Sequence, residues 1–308
     1  MMKKLLATLT LSTVVTAFAG EHWNVDLGGV SMKYLSMQVS ARSAAMSGAG
    51  VADASRAAEV SRNPLAMSSV ENAEFGVNQL VFDDNSADNF VSAYYGLPFS
   101  FGTMPLTYSM TVDFLGYEDI EGRDEFGNET SSYGAYAWSI QAGLGSRGKV
   151  FNWAASARFA TQTIDDESAV AFLGDIGGSY RVNKYLAFAA TLTNFGYMGD
   201  YDGEDEAAPM ALQAGITGIL PITENWNIHA SADAYRRADT DPYWLFGGEI
   251  NYADILGFRM GYAIRPDTED GISCGLGLNF GMIVFDYGYS PRPAFEGGQH
   301  YITVGLKF

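Results

Sequence analysis

Ten ionisable side chains stand within segments of this chain that otherwise alternate between apolar and small residues. Each falls on the face of its segment that carries small or polar residues, so we expect all ten to face one interior. Five are acidic and five are basic, which predicts ion pairs that brace these segments or hold another segment between them; a selective ion path is the alternative. The ten are Asp113, Arg158, Asp175, Arg181, Asp233, Glu249, Arg259, Arg265, Asp286 and Lys307.

Catalytic chemistry has little support from residue types and spacing. The zinc-protease motif H-E-x-x-H and the P-loop motif G-x-x-x-x-G-K-[ST] do not occur. His22, His229 and His300 lie far apart in the chain, and the lone Cys274 excludes both a Cys metal cluster and an internal disulfide. We therefore predict no enzyme activity, no catalytic residue, no metal and no cofactor.

The acidic run from Asp200 to Glu206 is a candidate calcium loop, because hard cations prefer several oxygen ligands. It lacks the full twelve-residue pattern of a calcium-binding loop. A solvated acidic loop is the interpretation that we favour.

The elements that position the ten side chains are short and alternating. Fourteen segments of about ten residues show period-2 alternation, the length that a tilted strand needs to cross a bilayer. In one of them Phe258, Met260 and Tyr262 form an apolar row, and charged side chains belong on the opposite face because Arg or Lys facing lipid costs roughly 2–4 kcal/mol at mid-bilayer. The segments are 73–82, 88–98, 105–116, 132–144, 150–163, 168–181, 184–196, 208–220, 225–236, 242–252, 255–265, 270–280, 281–290 and 299–308.

The last segment, residues 299–308, carries an apolar row that ends on Phe308. An unpaired strand of this kind would be an aggregation-prone edge, whereas pairing it with the first strand of a barrel removes the edge. The connections agree, since alternate ones are short turns and the others hold most of the 36 acidic residues. Short turns on one side and long loops on the other are typical of outer-membrane barrels.

The N-terminus predicts export. Lys3 and Lys4 precede an apolar run, and Ala17-Phe18-Ala19 has the form of a signal-peptidase site, so we predict a cleaved signal peptide over residues 1–19. A buried N-terminal helix is the alternative. A net charge of −18 argues against nucleic acid as a partner.

Residues 20–72 precede the strands and are long enough to plug the lumen of a barrel spanning residues 73–308. Their Ala-, Ser- and Gly-rich composition favours a segment packed against the wall, with a flexible linker as the alternative. We predict a short helix near residues 52–61 that ends at Asn63-Pro64, because Pro disfavours helix in the residue before it.

The stretch SARSAAMSGAGVADASRAAEVSRNPLAM, from Ser40 to Met67, resembles the N-terminal signature of PorV/PorQ-type outer-membrane proteins. Ser40 and Ala45 depart from it where glycines are common, as does Leu65-Ala66 after Asn63-Pro64, and Asp53 alone remains of its acidic residues. The positions that match are Ala41, Arg42, Met46, Gly48, Gly50, Val51, Ala52, Asn63 and Pro64. The binding residues that the resemblance implies are Arg42, Met46, Gly48, Gly50, Asn63 and Pro64.

The resemblance implies an all-β, FadL-like fold: a transmembrane antiparallel barrel of about fourteen strands with a short, partly helical N-terminal plug. It also implies a non-enzymatic binding or shuttle role in type IX protein secretion, through loops such as 117–131 and 197–208. The expected partners are outer-membrane lipid, secretion-system components and secreted cargo. The alternative is a FadL-like transporter with a hydrophobic ligand, which a continuous apolar path through a gap in the wall would favour; a blocked lumen would favour the binding role.

Overall fold

The computed structural model of the chain describes residues 29–83, 89–117, 121–123, 126–200, 206–265, 271–291 and 297–308. The predicted signal peptide and residues 201–205 of the candidate calcium loop lie outside these described residues.

Fourteen antiparallel strands form a closed barrel in which each strand pairs with its sequence neighbours. Each strand overlaps the segment that its alternation predicted, and the predicted all-β barrel is confirmed. The strands are β1 (Glu74–Phe82), β2 (Asn89–Phe101), β3 (Met104–Gly116), β4 (Ala135–Ser146), β5 (Phe151–Ile164), β6 (Glu167–Asn183), β7 (Leu186–Met198), β8 (Ala211–Pro221), β9 (Trp226–Arg237), β10 (Tyr243–Tyr252), β11 (Leu256–Ile264), β12 (Gly271–Phe280), β13 (Ile283–Pro291) and β14 (Gly298–Lys307).

The terminal strand closes the barrel as predicted. β14 runs antiparallel to β1, from Lys307 opposite Glu74 to Gln299 opposite Phe82, and β13 covers its other edge. Both edges of β14 are therefore paired, which removes the exposed edge that a terminal strand would otherwise present.

The two faces of the wall differ in the way that a strand between lipid and a filled interior requires. On β11, Phe258 and Met260 are 49% and 60% exposed, whereas Arg259 between them is 3% exposed. No helix among the described residues is long and apolar enough to cross a membrane.

The connections divide the barrel into a turn end and a loop end. The turn end carries the links after β2, β4, β6, β8, β10 and β12, each of two to four residues. The loop end carries the others; the connection after β5 holds acidic residues as expected there, but Asp165 and Asp166 form a two-residue turn instead of a long loop. β5 and β6 remain paired up to Ile164 opposite Glu167, and Asp165 adopts the positive φ of 54° that Asp tolerates in a tight turn.

Residues 29–72, which we call the plug, lie inside the barrel. Their regular structure consists of α1 (Ala41–Ala45) and 3₁₀ turns at Lys33–Ser36, Ala57–Glu59 and Pro64–Ser69. The predicted helix over residues 52–61 is wrong, because only the three-residue turn at Ala57–Glu59 forms there. Asn63-Pro64 begins a turn instead of ending a helix: Asn63 is extended and caps it, and Pro64 occupies its first position, where no N–H is needed.

The plug spans the whole height of the lumen. At the loop end Val30 bridges to Ala207 in the connection between β7 and β8. At the turn end Val70 accepts a hydrogen bond from Thr107, near the start of β3. The plug therefore enters at the loop end and leaves at the turn end, where it continues into β1.

Small residues in the wall let the plug approach closely. A Cβ on Gly261 of β11 would lie 2.2 Å from the backbone carbon of Met46, so only glycine fits at that position. Near the loop end, Met32, Tyr34 and Leu35 of the plug pack in an apolar cluster with Leu80 and Phe90 of the wall. Much of the barrel core is thus plug against wall.

Candidate functional site

The centre of the plug is held by a buried arginine. Arg42 Nη2 lies 2.7 Å from Asp53 Oδ2 and 2.6 Å from Glu249 Oε2, and Nη1 lies 3.4 Å from Glu59 Oε2. Burial alone would lower the pKa of Arg42, but the carboxylates, led by that of Glu249, hold it well above its usual range. The guanidinium is a fixed positive charge that joins two parts of the plug to β10.

This contact continues into a chain of alternating charges. Glu249 Oε1 accepts from Arg259 Nε at 2.8 Å, and Arg259 Nη1 donates to Asp286 Oδ1 at 2.5 Å. Asp286 Oδ2 in turn accepts from Arg56 Nη1 of the plug at 2.7 Å. Three wall residues, Glu249, Arg259 and Asp286, thus stand between two plug arginines.

A second ionic centre lies on the opposite side of the lumen. Asp113 Oδ2 accepts from Arg158 Nη1 at 3.1 Å and from Arg62 Nη1 at 3.0 Å. Arg158 also donates to the carbonyl of Ser61, and Arg62 to that of Met37. This centre therefore joins two wall strands to two stretches of the plug.

Asp175 and Asp233 are buried as predicted, but among the described residues their hydrogen-bond partners are neutral groups instead of the basic side chains that we predicted. Asp233 Oδ2 accepts from the backbone N–H groups of Gly50 and Val51, at 2.8 and 2.9 Å, and from Gln213 Nε2 at 2.7 Å. Asp175 accepts from Gln141, Ser156 and the N–H of Asn194, all within 2.8 Å. Both carboxylates accept hydrogen bonds from neutral donors. The plug presents backbone N–H groups to Asp233, and β7 presents the N–H of Asn194 to Asp175.

The remaining predicted basic residues lie outside these centres. Arg181 lies on the same face of β6 as Asp175, but it is exposed near the turn end, where a register shift follows it, so its predicted ion pair stays a prediction. Lys307 lies near the turn end, 4.0 Å from Glu74, and Arg265 lies at the loop end over the ring of Tyr243.

The motif residues of the resemblance fold the plug. Gly48 and Gly50 have φ values of 83° and 103°, which favour glycine. Asn63 Oδ1 accepts from the N–H of Leu65 and its amide donates to the carbonyl of Val51, while Pro64 starts the following turn. Met46 is fully buried against Gly247 and Gly261. Together with Arg42, they shape the plug and fix it to the wall.

Two chemical motifs have structural explanations. Ligand atoms of Asp53, His229 and Glu249 lie within 4.8 Å of one another, but Arg42 already pairs with both carboxylates, and a cation would have to displace it. Residues 271–275 have the G-x-S-x-G spacing of a hydrolase nucleophile, but Ser273 lies within β12 instead of at a strand-to-helix turn. Its hydroxyl bonds Ala45 and Ser47 of the plug.

A cavity of about 200 Å³ lies between the plug and β9–β14, towards the loop end. Tyr235 and Tyr243 form one wall with ring centroids 5.0 Å apart, and Leu245 and Met37 add apolar surface. Polar groups line the rest: Arg237, which is paired with Asp239, and Ser36, Gln38, Arg265, Ser290 and Gln299.

A second cavity of about 20 Å³ adjoins the first, because Ser36, Gln38 and Tyr235 line both. It extends to Asn194 of β7, where the wall is irregular. The register between β6 and β7 shifts there, and Asn194 has a positive φ of 55°. The two cavities therefore lie side by side between the loop end of the lumen and a bulge in the wall.

Sequence reasoning missed Arg56 and Arg62, which hold the plug to Asp286 and Asp113. Both lie in an irregular segment, so no periodicity identified them. It also missed the cavity tyrosines, since Tyr235 and Tyr243 resemble ordinary strand residues.

Comparison with solved structures identifies the fold. The Pseudomonas putida toluene transporter TodX is 14% identical and superposes with a TM-score of 0.58 over 86% of this chain and 96% of that chain. The Ralstonia pickettii toluene transporter TbuX is 13% identical and superposes with a TM-score of 0.59 over 87% of this chain and 98% of that chain. A TodX deltaS2S3 mutant, described as a monoaromatic hydrocarbon channel, is 13% identical and superposes with a TM-score of 0.62 over 87% of this chain and 99% of that chain. No protein-family model and no curated protein sequence matches the chain.

The chain is an integral outer-membrane β-barrel, given this fold and the apolar side chains exposed on its outer face. Its fold is FadL-like, as the resemblance implied. Nothing in the comparisons shows PorV/PorQ membership or a link to type IX secretion.

Proposed function

We propose that this protein admits a small, partly hydrophobic molecule from the cell surface into the cavity between plug and wall. The observation that carries the proposal is the larger cavity at the loop end, with a smaller cavity beside it towards the bulge in β7. The FadL-like fold supports it, because solved proteins of that fold include toluene transporters.

The size and lining of the larger cavity set the class of ligand. An apolar protein cavity of about 150 Å³ accommodates benzene, so about 200 Å³ is room for a single aromatic ring with a small substituent. Tyr235, Tyr243 and Leu245 offer ring and aliphatic contacts, while Gln38 and Ser290 offer hydrogen bonds. A monoaromatic molecule that carries one polar group fits this surface better than a long alkyl chain does.

The test fills the cavity. Ser290→Trp places an indole in the lining of the cavity, and the matched variant Ala155→Trp places one on the lipid-facing side of β5, where Ala155 is exposed. Uptake of radiolabelled toluene and benzyl alcohol is measured in cells that express each variant at equal outer-membrane levels. We expect uptake to fall to background in Ser290→Trp and to stay at the wild-type rate in Ala155→Trp. Equal uptake by the two variants would contradict the proposal.

A binding or shuttle role in type IX secretion is the second candidate. One observation favours it: the described plug fills the lumen and is fixed by Arg42, Arg56 and Arg62 to carboxylates of the wall. A blocked lumen suits a protein that recognises partners at its loop face. The motif residues of the resemblance do not add to this candidate, because each of them has a role in folding the plug.

Locking the plug separates the two candidates. Ser47 Oγ of the plug lies 2.8 Å from Ser273 Oγ of β12, so Ser47→Cys/Ser273→Cys, in a Cys274→Ala background, can join plug and wall. If uptake requires the plug to move, the oxidised variant loses uptake and the reduced one regains it. A shuttle keeps its partners in both states, and these are recovered by pull-down through a tag in the loop between β3 and β4. Recovery of the chain without secretion components would contradict the second candidate.

A further inference from the structure

We propose that the plug is threaded through the barrel, so that its N-terminal end is displayed at the cell surface while its C-terminal end leaves on the periplasmic side. This inference does not depend on what the protein carries or binds. It concerns which compartment can reach the plug.

The position of the first described residues carries the inference. Val30 forms a parallel bridge with Ala207, the N–H of Ser31 donates to the carbonyl of Ala207 at 3.0 Å, and the Ser31 hydroxyl donates to Glu206 at 2.6 Å. Both partners lie in the connection between β7 and β8 at the loop end. Gly29, immediately before them, is exposed.

The following residues descend from this point. Tyr34 donates to the carbonyl of Trp138, three residues inside the loop end of β4, and Ala41 donates to Thr303 near the middle of β14. Ala57 then donates to Glu74 at the turn end. In outer-membrane barrels the long loops face outside and the short turns face the periplasm. The N-terminal end of the described plug therefore faces outward.

The test is single-cysteine labelling on intact cells with a membrane-impermeant maleimide, in a Cys274→Ala background because Cys274 is exposed on the lipid face. Gly29→Cys reports on the plug, Ser132→Cys on the loop end, and Glu224→Cys on the turn end; all three positions are exposed. We expect Gly29→Cys to be labelled as fully as Ser132→Cys, and Glu224→Cys to be labelled only after the outer membrane is permeabilised.

Labelling of Gly29→Cys only after permeabilisation would overturn the proposal, as would surface labelling of Glu224→Cys in place of Ser132→Cys. If Gly29→Cys is unreactive in both states, the bridged pair decides. Val30→Cys/Ala207→Cys replaces two directly paired residues, a spacing that a disulfide accepts. Formation of this disulfide in folded protein, together with surface labelling of Ser132→Cys, supports the proposal, and its absence contradicts it.

Discussion

Two anchors hold the same plug to the same wall by different chemistry. At the first, Arg42 enters between Glu249 and two plug carboxylates, and Arg259 extends the contact to Asp286. At the second, Asp233 meets two backbone N–H groups and one amide, with no basic side chain in hydrogen-bonding contact among the described residues. One anchor balances charge with charge, and the other satisfies a carboxylate with dipoles.

The difference shows where the charge balance of the lumen comes from. Among the described strand residues the buried wall carries six acids, Glu74, Asp113, Asp175, Asp233, Glu249 and Asp286, but only two bases, Arg158 and Arg259. The even balance expected from sequence is therefore not a property of the wall. Arg42, Arg56 and Arg62 of the plug supply part of the missing positive charge.

The largest effect is expected at the charged anchor. Arg42→Met keeps most of the side-chain volume but leaves Glu249, Asp53 and Glu59 with less compensation, and removing one partner of a buried ion pair costs about 3–5 kcal/mol. We expect a loss of that size in the free energy of unfolding, measured by urea titration in detergent micelles with the gel mobility of unheated protein as a second readout. Lys149→Met, at an exposed turn-end position, is the control and should unfold like the wild type. Equal stability of the two variants would remove the distinction between the anchors.

An intermediate effect is expected when the carboxylate itself is neutralised. Asp233→Asn keeps one oxygen for the N–H groups of Gly50 and Val51, so we expect a loss of about 1–3 kcal/mol, the range for a buried polar group left unsatisfied. The same substitution at Asp286 is the matched control, because Asp286 faces two guanidinium groups. Asp286→Asn should lose more stability than Asp233→Asn in the same urea titration. The reverse order would mean that backbone N–H groups hold a charge more strongly here than arginine does.

The outer face of the wall could be predicted because one rule governs it. The lipid-facing rows of strands such as β11 and β12 obey period-2 alternation, so these strands follow directly from their sequences. The inward faces of Asp113, Asp233 and Glu249 followed from the same rule. Their partners in the plug did not, because the contacts of the plug are set by burial in three dimensions.

The conformation of the plug could not be predicted from local sequence rules for the same reason. Residues 52–61 have the composition of a helix, yet the chain turns repeatedly there so that Asp53 and Glu59 both reach Arg42 while Arg56 reaches Asp286. The cavity could not be predicted from the sequence either, since it forms only where the plug and the wall are not in contact. The sequence therefore predicts the barrel wall better than it predicts the plug and the cavity inside the barrel.

The smallest effect is expected near the turn end of the barrel, where charged side chains are partly exposed to solvent. Lys307 lies 4.0 Å from Glu74 and its side chain is 23% exposed, a long contact near the turn end. Partly solvated pairs contribute less than about 1 kcal/mol, so Lys307→Gln should lose no more than that in the urea titration. High salt should leave this variant unchanged while slightly weakening the wild type, because salt screens accessible pairs more than buried ones. A loss as large as that of Arg42→Met would show that the seam between β1 and β14 depends on this pair. The expected difference in strength between the buried anchors and this partly exposed pair would then be contradicted.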